Sequence, residues 1–83
     1  MTKSIKLKEC IVTPTDDNGE SPNWVQLFAV EESDHSYLWV VGMEDDRRFS
    51  LQYGIEEPNA INEASHAYDA KLAYIRMIAH DKY

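Results

Sequence analysis

The amino-acid sequence predicts an α+β fold, a four-stranded antiparallel meander sheet with one C-terminal amphipathic helix packed on one face, in the order ββββα. Three observations predict it. Four stretches of strand length are apolar or alternate apolar with polar, and turn-forming residues separate them. The connections between them suit hairpins. After Gly54 the apolar residues change to helical spacing, and a terminal amphipathic helix can bury its stripe only across the sheet.

The first strand spans Ser4 to Val12, where Ile5, Leu7 and Ile11 alternate with Lys6, Lys8 and Cys10, the pattern of an edge strand with one wet face. The segment Thr13 to Asn23 holds two prolines and the sole Asn-Gly pair, so it reads as a long turn. Trp24 to Val30 is apolar except at Gln26, and Tyr37 to Met43 is apolar or Gly throughout, which marks two central strands. Glu44 to Arg47 supplies a turn, and Phe49, Leu51 and Tyr53 alternate with Ser50 and Gln52 in a fourth strand ended by Gly54. Pro58 and Asn59 suit the start of a helix. From Ala60 to about His80, Ile61, Ala64, Tyr68, Leu72, Ile75 and Ala79 fall at steps of three and four, and six alanines agree with that period.

Parity along the strands divides the apolar residues into two sets. Trp24, Phe28, Val30, Tyr37, Trp39, Val41 and Met43 share one face; Val25, Leu27, Ala29, Leu38 and Val40 share the other. A two-residue loop at Asp45-Asp46 adds Phe49, Leu51 and Tyr53 to the Val and Leu set. The alanines of the helix argue the other way, since small residues fit over large rings, and the covered face stays open at this level. Whichever face is covered, the other presents large apolar side chains that a monomer rarely leaves bare. Ala67, Ala70, Tyr74 and Met77 form a second, weaker apolar row on the outer side of the helix.

With 83 residues the chain is read as a single domain, 1–83, able to bury about 60 to 65% of its unfolded surface. Fifteen acidic against eight basic residues give a formal charge of −7, which repels phosphate backbones and speaks against direct nucleic-acid binding. A basic protein surface is attracted instead. No run of 18 apolar residues and no signal-peptide pattern follow Met1, and Cys10 is the one cysteine, so the expectation is a cytoplasmic protein that meets no membrane.

The carboxylates gather at the connections: Asp16, Asp17 and Glu20; Glu31, Glu32 and Asp34; Glu44, Asp45 and Asp46; Glu56 and Glu57. Alternate connections of a meander share one end of the sheet, so both ends are expected to be negative.

The residue pattern offers little for catalysis. Cys10 has no cationic or His neighbour to lower its pKa, and no serine stands in a Gly-x-Ser-x-Gly turn. His66, Asp69 and Asn62 share one side of the helix but are too few for a closed zinc site. His35 reads as a turn residue, and three glycines in all exclude a phosphate-cradling loop. The expectation is a non-enzyme with no cofactor and no metal.

These readings converge on a protein-binding module, an inhibitor or modulator of a larger, partly basic partner that handles nucleic acid, as phage and mobile-element counter-defence proteins do, anti-CRISPR proteins included. The alternative is a structural homo-oligomer, a homodimer at its simplest. The residues expected to meet the partner are Asp16, Asp17, Glu20, Glu44, Asp45 and Asp46 for charge, and Trp24, Phe28, Tyr37, Trp39, Tyr74 and Met77 for apolar contact.

Overall fold

The computed structural model describes residues 2–13, 23–44 and 47–82, with side chains described over 2–12, 23–44 and 47–77. Its elements are β1 (Lys3–Thr13), β2 (Asn23–Glu31), β3 (Ser36–Glu44), β4 (Arg47–Gly54) and α1 (Ala60–Lys82). The strands form one antiparallel sheet in the order β1-β2-β3-β4, so the meander follows chain order and β1 and β4 are its edges.

Turn chemistry sets the register. Glu31 pairs with Ser36, and the Glu32 N–H donates to the His35 carbonyl at 2.9 Å, closing the hairpin around Ser33 and Asp34. Glu44 pairs with Arg47, so two residues join β3 to β4. This places Phe49, Leu51 and Tyr53 opposite Gly42, Val40 and Leu38, in the Val and Leu set. After Gly54, the Ile55 N–H donates to the Ser36 carbonyl and fastens the link to the sheet. Helix α1 then begins with the Glu63 N–H bonded to the Asn59 carbonyl, which makes Asn59 the capping residue.

The helix lies on the Val and Leu face. Val25, Leu27, Leu38 and Val40 are buried beneath Ala60, Ala64, Tyr68 and Ile75, with Cys10, Val12, Ala29, Phe49, Leu51, Tyr53, Ala67 and Leu72 packed around them. The choice of face has a physical reason. All four strands contribute apolar side chains to this side, whereas the Trp-bearing side meets Ser50 and Gln52 on β4 and Lys6 and Glu9 on β1. Each aliphatic side chain removed from water contributes about 1.5 to 3 kcal/mol, so the helix settles where four strands offer such contacts instead of two.

Two expectations need correction. Strict alternation fails in β1, because Lys6 pairs with Phe28 and Lys8 with Leu27, leaving Leu7 as an extra residue, and a second irregularity follows between Ile11 and Thr13. The bulge reverses parity, so Cys10 joins the helix-covered side opposite Val25 while Ile11 pairs with Trp24 on the other side. The buried helix stripe also begins one residue earlier than its periodicity suggests: Ala60 is buried and Ile61 is largely exposed.

Gly42 is sterically required. A Cβ there would overlap the Trp24 carbonyl oxygen and come within 2.7 Å of the Phe49 ring, so the Phe49 ring fills the space a side chain would need. Lys71 of the helix lies 4.6 Å from the Phe49 ring centroid and binds Glu44 Oε1 at 2.9 Å, tying the helix to β3 and β4 at one place. Gly42→Ala is therefore expected to lower stability by about 2 kcal/mol or more, read as a reduced urea midpoint. Because a backbone oxygen cannot retreat as a flexible side chain can, an unchanged midpoint would show that β2 and β3 part easily at this point.

Tyr68 yields a pH test. Burial pushes its phenol pKa up, and the neighbouring Cys10, Asp69 and Glu9 add to this while Arg76 opposes it. The folded value thus lies above the unfolded one, so stability is intact below about pH 10 and is lost as pH rises through the folded value. Thermal unfolding from about pH 8 to about pH 11 should show that decline, flattened in Tyr68→Phe; an equally steep fall in the variant assigns it to another group.

Candidate binding face

The side of the sheet away from α1 is built from four cross-strand rows. Ser4, Val30 and Tyr37 form the first; Lys6, Phe28, Trp39 and Gln52 the second; Glu9, Gln26, Val41 and Ser50 the third; Ile11, Trp24, Met43 and Arg48 the fourth. The apolar residues concentrate on the two inner strands, and the edge strands supply a mostly polar margin. No helix or strand among the described residues packs over this side.

The face is partly self-shielding. The Phe28 and Trp39 rings lie 5.6 Å apart at a tilt of 39°. The Trp39 indole N–H donates to Ser50 Oγ at 2.6 Å, which satisfies its polar edge while leaving the ring in the face. Val30 and Val41 are buried between the aromatic residues, whereas Trp24, Phe28, Tyr37, Trp39 and Met43 are each half-buried. On the β1 margin, Glu9 accepts a hydrogen bond from the Gln26 amide and pairs with Lys6 at 3.3 Å. These two contacts, the Gln26 bond first, hold the Glu9 carboxyl below its ordinary pKa.

At the β2–β3 end Tyr37 ties the face to an acidic turn. Its hydroxyl donates to Glu32 Oε1 at 3.3 Å and its ring stacks on His35 at 5.5 Å. Burial, then the Glu32 charge, push the Tyr37 phenol pKa up. His35 contacts Asp34 Oδ1 through Nδ1 at 2.8 Å and Glu32 Oε2 through Nε2 at 3.2 Å. The His35 hydrogen bond is the main reason the Asp34 carboxyl lies below the usual carboxylate range.

Glu32, Asp34 and His35 bring their donor atoms within 4.8 Å of one another. The two carboxylates, however, hold opposite nitrogens of a single ring. A metal ion bound to either nitrogen would gain one of those carboxylates and lose the other, so the arrangement is that of an imidazole hydrogen-bonded on both sides. His66 and Asp69 are both exposed on α1.

The expected contact residues fall in different places. Trp24, Phe28, Tyr37 and Trp39 come together on the open face. Tyr74 and Met77 are exposed on the helix, on the opposite side of the sheet, where Tyr74 lines a groove with Glu44, Leu51, Ala67, Ala70 and Lys71. Glu44 is the last residue of β3 and turns toward the helix, where Lys71 binds one oxygen and the other, Oε2, is buried without a hydrogen-bond partner among the described residues. Asp16, Asp17, Glu20, Asp45 and Asp46 lie outside the described residues. Val30 and Val41, which parity already puts on this face, form its buried floor, and the residue that sequence reasoning missed is Ile11, brought to the open face by the bulge.

Among the described residues, carboxylates collect at one end of the sheet. The pairing of Lys3 with Glu31 and the Ile55-to-Ser36 bond bring Glu31, Glu32, Asp34, Glu56 and Glu57 to the same end. No helix among the described residues is long and apolar enough to cross a membrane. Comparison with protein-family models, curated proteins and solved structures finds no match, so the reading of this face rests on its own residues.

Proposed function

We propose that this chain acts by stoichiometric binding in the cytoplasm, as an inhibitor or modulator that sets its open sheet face against a larger protein with a basic surface. One observation carries the reading: a patch two strands wide, centred on Phe28, Trp39 and Val41, with Lys6, Glu9, Arg48, Ser50 and Gln52 along its margins. An apolar, aromatic centre inside a polar rim is the anatomy of a protein interface. The patch as a whole supplies Trp24, Trp39 and Tyr37, residue types that carry a large share of binding energy when a partner excludes water from them.

The acidic end supports the choice of partner. Five carboxylates against Lys3 favour a surface rich in Lys and Arg and speed its approach, and proteins that hold nucleic acid present such surfaces. Phage counter-defence proteins, anti-CRISPR proteins included, are a class that works in this way.

Affinity capture from bacterial and phage-infected lysates tests the reading. The wild-type chain should retain one protein at a one-to-one ratio, confirmed with purified components. Trp39→Ala should weaken that complex about 30-fold, the loss expected for a central aromatic anchor. Met77→Ala, on the helix, should leave it intact. Equal retention by all three forms, each shown to be folded by thermal unfolding, would remove the sheet face from the interaction.

A further inference from the structure

A second surface is more exposed than the aromatic face. Ile5 is 65% exposed, Leu7 52%, Ile55 49% and Ile61 66%, which makes four of the largest apolar exposures among the described residues. They lie together. Ile55 lines three adjoining hollows, one with Lys3 and Ile5, one with Leu7 and Ile61, and one with Glu57 and Ile61. The middle hollow, about 230 Å³, is the groove between β1 and the first turns of α1, floored by Leu27 and Leu38. Exposed aliphatic side chains around one groove mark an interaction site.

The groove has two unlike banks. The strand bank carries Ile5 and Leu7 with the cations Lys3 and Lys8. The helix bank carries Ile55 and Ile61 with Glu57. Lys3 and Glu57 have no ion-pair partner within 4 Å among the described residues, while Lys8 lies over the Tyr68 ring. We infer that the groove binds a second copy of this chain about a two-fold axis running along it.

Such an axis sets the strand bank of one copy on the helix bank of the other. Ile5 and Leu7 then meet Ile55 and Ile61 of the second copy, and each Lys3 faces the other copy's Glu57. Apolar and charged residues are both self-complementary in that arrangement, twice over by symmetry. Strand-to-strand pairing through the β1 edge is disfavoured, since Lys6, Lys8 and the bulge at Leu7 are devices that guard an edge. The contact is therefore made by side chains. It uses a surface separate from the aromatic face and shares with the acidic end only Lys3 and Glu57, so the Trp39 and Ile61 variants test the two sites separately.

Sedimentation equilibrium of the full chain at up to about 1 mM tests this, a range that reveals dimers with millimolar dissociation constants. The wild type should associate as a dimer. Ile61→Lys should sediment as a monomer, and Met77→Glu, an exposed apolar control on another side of the helix, should not differ from wild type. Lys3→Glu and Glu57→Lys should each weaken the dimer at least several-fold, and an equimolar mixture of the two should recover it as a heterodimer. A monomeric wild type, an Ile61→Lys form that still dimerises, or a charge-swapped mixture that stays monomeric overturns the inference.

Discussion

A single helix can cover one side of a sheet, yet the two inner strands of this chain are apolar on both sides. That imbalance governs the rest of the molecule. The helix takes the side where all four strands contribute, which leaves the aromatic side to the two inner strands, joined by Ile11 of β1 at one end. There the chain lowers the cost internally: Trp39 leans on Phe28, its N–H is satisfied by Ser50, and the valines sink between the rings. The face that remains keeps its large rings half-buried over a floor of buried valines.

Much of this architecture is legible in the residues. The strands are bounded by turn chemistry, and the pairing of Glu44 with Arg47 follows from a two-residue connection, so the grouping of Phe49, Leu51 and Tyr53 with the Val and Leu set can be read from parity. What parity cannot show is a bulge. Nothing in Lys6-Leu7-Lys8 distinguishes a regular strand from one holding an extra residue, because a bulge is specified by how the partner strand sits against it. Without the bulge, Cys10 and Val12 appear on the open side and Ile11 on the helix-covered one, the reverse of what the structure shows.

The helix begins at Ala60 as its spacing predicts, but its buried stripe does not begin at Ile61, for a related reason. Hydrophobicity favours Ile61 as a core residue, yet close approach of the helix to the sheet favours alanine, and Ala60 and Ala64 take the contact. The candidate site is legible in the same measure. The aromatic cluster follows from the strand period, but Glu44 looks like a solvated turn acid until the helix brings Lys71 to it. Charge in sequence is a count; its availability depends on which cations the fold delivers.

The extra residue in β1 has a further result for the one thiol in the protein. By turning Cys10 under the helix, the bulge makes the thiol's access to reagents depend on helix docking, not on the strand itself. Local openings of a protein span free energies well below that of global unfolding. Alkylation of this partly buried thiol would accordingly quicken whenever the helix lifts from an intact sheet, and so report that opening.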